Sequence, residues 1–422
     1  MRVGVLIKQV PRVEAMALGP DGRLIRDGRD LEINAYCRRA ISKGVELAAA
    51  SSGTCAVITL GPPSAEDALR EAVAWGADRG VLVTDPELAG SDTLATARAL
   101  AAAINTVGPF DIILAGRNSV DADTGQVGPE VAQLLGLPFL GGVRVMAVES
   151  GTVQAHLELD DGWADVEVEL PALLSCAERL CPPAKVDAAG RAAVSPDRLT
   201  ILHAADLGPG PWGQAASPTH VGGIRVLEVD RHRIVLSGSV AEQAARAVEL
   251  LQEAGALGGP GGAGGSSGSG LSGDPVGSAG GLPARAAIVP GVPDQWTRGE
   301  ATVVVVAEPD REPITREMLG SAARLAQRIG GRVAVAAPAG LPDPATLGSS
   351  GADEVVELLG TALAEDVAGS LAEWCASRQP WAVLAPSTMW GREVSARVAA
   401  ILGAGLTGDA VDLAVADGRL LA

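Results

Sequence analysis

The reading of the fold begins at FDIILAGRNSVDADTGQVGP, residues 110–129, where an unbroken apolar run passes through a polar, glycine-containing stretch and then into a helix-period segment. Continuous hydrophobicity with Val, Ile and Leu, lacking period-two alternation, marks a strand buried on both faces. A polar loop leading from such a strand into a helix is the ligand-binding corner of a parallel α/β sheet. The same succession recurs as WAVLAPS at 381–387. The helices that follow close on similar words, VAQLLGLP at 131–138 and VAAILGAGL at 398–406.

Working outward from these corners exposes an internal repeat. In the front block a strand at 3–7, a helix at 40–50, a strand at 55–60 and a helix at 65–75 lead to Gly76-Ala77-Asp78 and a strand at 80–83. In the back block a strand at 303–306, a helix at 317–329, a strand at 333–337 and a short helical piece lead to Gly351-Ala352-Asp353 and a strand at 355–358. Each unit then continues through an Ala-rich helix to its 110–116 or 381–387 strand. The fold class expected is α/β, as two Rossmann-like domains with parallel sheets covered by helices on both faces. A helix-period segment at 240–257 precedes a run so rich in Gly, Ser and Pro that it offers almost no side chains to offset ordering entropy, and it reads as a flexible tether. The expected division is 1–254, a linker at 255–299 and 300–422. Between Val143 and Cys176 the pattern changes to period two, which predicts an antiparallel hairpin hung on the front domain.

Composition narrows the function classes. With 33 Lys+Arg against 51 Asp+Glu the formal net charge is −18, which repels a polyphosphate backbone and argues against nucleic acid as partner. Partners should be neutral, basic or small. Hydrophobic residues make up 47% but aromatics only 2%, so the cores must be built of Ala, Val and Leu at close approach. The five Cys, at 37, 55, 176, 181 and 375, are scattered without CxxC or metal spacing, which suits a reducing cytoplasm. Pro11 and Glu14 end the N-terminal apolar run before signal-peptide length, and no window suits membrane insertion.

In a doubly wound sheet, ligands bind beyond the carboxyl ends of the strands, where strand order reverses. The backbone N–H groups of Thr124, Gly125, Gln126 and Val127 can hold a phosphate at a helix N-terminus. Asp121 and Asp123 would cap the helix or meet a ribose; the alternative is an N-capped helix after an ordinary polar loop. Gly125→Val is expected to block this cradle with little loss of fold stability. The Asn34-Ala35-Tyr36-Cys37 turn, the Leu60-Gly61-Pro62-Pro63 turn and Ser91-Asp92-Thr93, whose helix also carries Thr96, share the edge. The four His (156, 203, 220, 232) fall away from the strand ends, and Asp160, Asp161 and Asp165 read as hairpin-turn carboxylates. No GxSxG, Walker A or correctly placed GxGxxG occurs. Cys176 and Cys181 read as loop-proximal thiols with a redox pair as the alternative, and the Trp residues as packing or interface groups.

The words of the front block resemble the beta subunit of the electron transfer flavoproteins over roughly 1–250. The match is carried by Val5-Leu6-Ile7-Lys8-Gln9-Val10, Asn34-Ala35-Tyr36-Cys37, Leu60-Gly61-Pro62, Gly76-Ala77-Asp78-Arg79-Gly80, the stretch from Val120 through Asp121, Asp123 and Gly128 to Pro129, and Leu170-Pro171-Ala172. The back block resembles the N-terminal domain of the alpha subunit through Val305-Val306-Ala307-Glu308, Gly351-Ala352-Asp353, Ser387-Thr388, Gly391-Arg392-Glu393 and Gly405-Leu406-Thr407-Gly408-Asp409. The resemblance implies an adenine-nucleotide-hydrolase-like fold in both blocks. It also implies an electron carrier between a flavin dehydrogenase donor and a quinone-linked oxidoreductase acceptor. AMP, or a second FAD in the bifurcating branch, is then expected at Leu6, Asn34, Leu60, Asp121, Asp123, Thr124, Gly125, Gln126, Val127 and Gly128. Asp92, Thr93 and Thr96 belong to the set that resembles the bifurcating branch.

Three departures accompany the resemblance. The alpha subunit's C-terminal domain, which carries most contacts to the electron-transferring FAD, has no counterpart in these 422 residues, so that flavin is expected only with an FAD domain supplied by another chain. Glu158 and Gly162-Trp163 stand where the hairpin usually shows a basic residue and Gly-Gly. Ala188 stands where the partner-docking loop usually shows leucine. A structural or regulatory adenine-nucleotide module without electron transfer is the competing expectation.

Overall fold

The computed structural model describes residues 1–19, 24–25, 30–222, 233–254, 301–338 and 344–422. The proposed linker at 255–299 and His232 lie outside the described residues. Two compact units are distinguished, one made of Met1–Gly222 with Val289–Ala422 and the other of Gly223–Ile288.

In the first unit the front block begins with β1 (Arg2–Ile7), α1 (Ala35–Ala50), β2 (Thr54–Leu60), α2 (Glu66–Trp75), β3 (Arg79–Val83), α3 (Thr93–Val107), β4 (Ile112–Gly116) and α4 (Val127–Leu135). It continues as β5 (Phe139–Glu149), β6 (Thr152–Glu158), β7 (Trp163–Glu169), β8 (Ala172–Cys176) and β9 (Leu199–Leu202). These strands form one sheet in the order β9-β3-β2-β1-β4-β8-β5-β6-β7. Strand order reverses at β1, which pairs in parallel with β2 on one side and β4 on the other.

The unalternating apolar runs are buried as their composition requires: Val3, Val5, Ile112 and Leu114 are all wholly buried. Each such side chain contributes about 1.5–3 kcal/mol of transfer free energy. The period-two segments give the antiparallel pairs β5–β6 and β6–β7. The expected hairpin differs in two respects. It continues the main sheet instead of hanging from it, and its last stretch, β8, leaves the hairpin to run parallel between β4 and β5. All five residues of β8 are buried, and a strand buried on both faces belongs at the centre of a sheet.

Helix α1 starts at Ala35, five residues before the expected boundary, so the Asn34–Cys37 stretch is an N-cap and first helical turn. The back block contains β10 (Thr302–Val306), α6 (Glu312–Ile329), β11 (Arg332–Pro338), β12 (Glu354–Leu358), α7 (Ala364–Arg378), β13 (Ala382–Leu384) and α8 (Met389–Leu402); α5 (Val240–Glu253) precedes it in the chain. Helix α6 also starts earlier than expected, because Pro313 in its first turn fits the helical φ without losing a bonded N–H. The back sheet is parallel, in the order β12-β11-β10-β13. Both blocks are thus Rossmann-like and reverse strand order at their first strand. The corresponding helices α4 and α8 pack on one another.

The second unit, by itself, contributes α5. Ser239 caps it reciprocally with Glu242, each side chain bonding the other's backbone N–H. The expected helix at 240–257 ends at Glu253, and residues 255–257 lie outside the described residues. No helix among the described residues is long and apolar enough to cross a membrane.

Candidate functional site

The reversal point at β1 places Lys8, just past the strand end, beside the loop that follows β4. Lys8 Nζ lies 2.7 Å from Asp121 Oδ2 and donates to Ser119 Oγ at 3.3 Å. Burial would raise the Asp121 carboxyl, but the Lys8 charge and the hydrogen bonds from Lys8 and Ser119 outweigh it and hold the group below its usual range. Asp121 therefore anchors the loop to β1.

Asn34, only 1% exposed, ties the same loop from the other side. Its Nδ2 donates to the Asn118 carbonyl at 2.7 Å, and the Val120 N–H donates to its Oδ1 at 3.0 Å. Asn118 in turn donates to Asp123 Oδ1. The side chains of Asn34, Asp121 and Asp123 thus shape the loop by bonds already made within the protein.

The backbone beyond them is arranged differently. Asp123 and Gly125 both have left-handed φ, +47° and +64°, while Gln126 is right-handed at φ −85° and ψ −36°. A left-handed residue followed by a right-handed one turns successive N–H groups into a concavity suited to an anion. Among the described residues, the N–H groups of Thr124, Gly125, Gln126 and Val127 have no partner within the protein. Helix α4 starts at Val127 and adds the positive end of its dipole. Gly128 closes the turn, where a Cβ would come within 3.1 Å of the Phe139 ring. At Gly125 a side chain would meet Asn118 Oδ1 at 3.3 Å in a left-handed conformation. Gly125→Val therefore strains the loop as well as obstructing it, contrary to the small stability loss expected from sequence.

Leu6 lies at the end of β1 with its side chain in the core, and Leu60 ends β2; at these positions only backbone or partly covered apolar surface faces the strand ends. Asp92 is the N-cap of α3: its Oδ1 accepts from Ala95 N, and its Oδ2 from the N–H and hydroxyl of Thr219. Thr96 lies one position beyond the capped turn and is half-buried. Thr93 Oγ1 lies 3.0 Å from both Gln126 Oε1 and Glu130 Oε1, so the start of α3 and the start of α4 are joined through side chains.

Glu130 has no role assigned from sequence, where it looks like an ordinary first-turn acid. It is wholly buried, and Oε2 has no hydrogen-bond partner. Burial raises its pKa to about 8, against the lowering effect of Thr93. A neutral carboxyl resolves the geometry, because the single Thr93 proton cannot serve two acceptors at once. Glu130 can then donate to Thr93, and Thr93 to Gln126.

The equivalent corner of the back block is filled by the protein itself. At its strand ends Thr388 Oγ1 donates to Glu308 Oε2 at 2.7 Å. Asp160, from the tip of the front hairpin, accepts from the Met389 N–H at 2.7 Å, at the N-terminus of α8. Asp161 pairs with Arg311 at 3.1 Å. Burial, with Asp160 and Asp161 adding to it, raises the Glu308 carboxyl despite Thr388 and Arg311. The hairpin carboxylates are therefore docking groups, and the anion at this second helix N-terminus is a side chain.

The remaining sequence candidates are structural. All five cysteines are free, and Cys181 donates to the Arg39 carbonyl instead of pairing with buried Cys176. His156 stacks on Trp163 and bonds Asp165; His203 contacts the Thr84 carbonyl and His220 the Gln214 amide. No group of three metal-ligating side chains occurs among the described residues.

Comparison with known proteins agrees with this architecture. The family model described as "Electron transfer flavoprotein domain" matches residues 21–196 and 302–422, a segment in each block. The chain is 36% identical over 255 residues to electron transfer flavoprotein subunit beta of Thermoanaerobacterium thermosaccharolyticum, covering 60% of this chain and 98% of that protein. It is 36% identical over 225 residues to the caffeyl-CoA reductase-Etf complex subunit CarD of Acetobacterium woodii, covering 52% of this chain and 86% of the relative. Protein FixA of Bradyrhizobium diazoefficiens is 40% identical over 182 residues, 41% of this chain and 63% of FixA. With the family model spanning most of both blocks and the beta-subunit relative covered almost end to end, the chain belongs to the electron transfer flavoprotein family.

Proposed function

We propose that this chain is the nucleotide-holding part of an electron carrier, with AMP or FAD bound at the loop between β4 and α4. The observation that carries the reading is the cradle of unpartnered N–H groups from Thr124 to Val127, set on a helix N-terminus at the sheet's reversal point. Four donors and no competing carboxylate oxygen in that run fit a phosphate. Asp121 and Asp123 are held by Lys8 and Asn118, so they do not compete for the cradle. Thr93 and Thr96 in the first turn of α3 and Gln126 at the start of α4 are the groups that would separate a flavin from an AMP.

AMP bound there would order the loop without taking part in electron transfer, whereas FAD would supply the one- and two-electron chemistry. The chain's own residues bind the phosphate, fix the loop and keep Glu130 buried. A flavin dehydrogenase as donor, a quinone-linked oxidoreductase as acceptor and a separate FAD-domain chain complete the proposed system. Five free thiols suit a reducing cytoplasm for it.

The test is to purify the chain without added nucleotide, record its visible spectrum, denature it and identify what is released by chromatography and mass. Stoichiometric FAD supports a flavin in the front site, and stoichiometric AMP without yellow colour supports a structural nucleotide. A chain that carries neither and takes up neither from solution overturns the reading.

A further inference from the structure

Arg392, on the first turn of α8 in the back block, reaches the front loop. Its Nη1 donates to the Asp123 carbonyl at 2.6 Å and to the Thr124 carbonyl at 3.4 Å. Its Nη2 donates to Asp409 Oδ1 at 2.7 Å and Ser387 Oγ at 3.3 Å, and its Nε to the Ser387 carbonyl at 3.3 Å. All five guanidinium donor positions are thereby directed, and the side chain has little freedom to leave. Asp409 offsets its charge at close range, so its effect on the loop is directional more than electrostatic.

The direction follows from peptide geometry. In a planar trans peptide the carbonyl of one residue and the N–H of the next point to opposite sides. Holding the carbonyls of Asp123 and Thr124 from the side of α8 turns the N–H groups of Thr124 and Gly125 to the other side. Those are the first two donors of the cradle. A second back-block contact supports the same loop: a Cβ at Gly408 would lie 3.0 Å from Gln126 Nε2 and 4.0 Å from the Thr124 Cα, so the backbone at Gly408 packs closely against the loop.

We infer that Arg392 is a positioning residue for the front nucleotide cradle, so that ligand binding in one block and docking of the other strengthen each other. This rests on the reading of the front loop as a nucleotide site. By linkage the coupling is reciprocal: whatever Arg392 adds to nucleotide affinity, the nucleotide adds to docking.

The experiment compares the full chain with Arg392→Ala, Arg392→Lys and Asp409→Asn, using AMP titration, amide hydrogen exchange and urea unfolding. Asp409 has left-handed φ of +52°, which asparagine tolerates, so Asp409→Asn removes the counter-charge and leaves the carbonyl contacts in place. Arg392→Ala should lower AMP affinity by about tenfold or more and speed exchange at Thr124 and Gly125. Arg392→Lys should fall between, and Asp409→Asn should bind AMP at least as tightly as the parent, because the guanidinium keeps the two carbonyls and its charge is no longer offset. Unchanged AMP affinity in Arg392→Ala overturns the inference while leaving the site intact. A loss of affinity matched by faster exchange throughout both sheets and a lowered urea midpoint also overturns it, since the role would then be structural. If the parent chain binds neither AMP nor FAD, the nucleotide reading fails separately. Exchange at Thr124 and Gly125 then decides the positioning role, and no change there overturns it.

Discussion

At Glu130 the fold keeps a carboxyl group neutral at physiological pH. Its pKa is about 8 in the folded chain against an ordinary 4.5, so between those values the native state retains a proton that the unfolded chain has released. Stability contributed at this residue is therefore full below about pH 4.5 and falls as pH rises to about 8. Glu130→Gln removes the titration but keeps the shape. Urea unfolding at pH 5 and pH 8 should show the variant gaining on the parent by on the order of 3 kcal/mol over that interval; parallel profiles would refute the assignment. Nothing in the sequence distinguishes Glu130 from an exposed first-turn acid, because its burial depends on α3 crossing α4. By contrast, the glycine-dependent turn before α4 is legible. Glycine at 125 and 128 beside a strand-to-helix junction states a requirement of the main chain itself.

At the scale of elements, the contact between α4 and α8 is built around a buried charge. Arg397 is 1% exposed and bonds Glu393 at 3.0 Å, Glu365 at 3.3 Å and, across the blocks, Gln133 Oε1 at 3.1 Å. Arg397→Ala would leave the partly buried Glu393 without its cation. It should cost about 3–5 kcal/mol in urea unfolding, and a loss below 1 kcal/mol would mean that water replaces the partner. Periodicity made most elements readable, including the switch to period two in β5–β7. It did not reveal that β8 returns to the sheet's centre, because a buried five-residue run carries no record of its neighbours. The docking of the hairpin tip was hidden for a related reason. Asp160 and Asp161 look like turn residues until Met389 and Arg311 are brought beside them by contacts more than a hundred residues apart in sequence.

For the whole molecule, duplication has left two similar blocks with dissimilar corners. The front corner presents open N–H groups beyond the loop that Lys8 anchors, while the corresponding back corner holds Glu308 and receives Asp160. The repeat could be read from the chain, but this division of roles could not, since it arises where one block touches the other. The helix contact and the Arg392 bridge are extensive enough to predict continued association after the chain is cut. With a protease site inserted in the glycine-rich run at 258–270, the cleaved halves should co-elute at micromolar concentration and separate on strong dilution, whereas the intact chain should not change. Separation immediately on cleavage would show that the α4–α8 contact is too weak to hold without the peptide connection.

That packing of α4 on α8 also bears on supply. Two polypeptides meeting through such a contact must be synthesised in matching amounts, and any surplus of one exposes the face intended for the other. Here a single ribosome delivers both faces in a fixed one-to-one ratio. Partner search becomes a first-order event whose rate does not depend on how many molecules the cell contains.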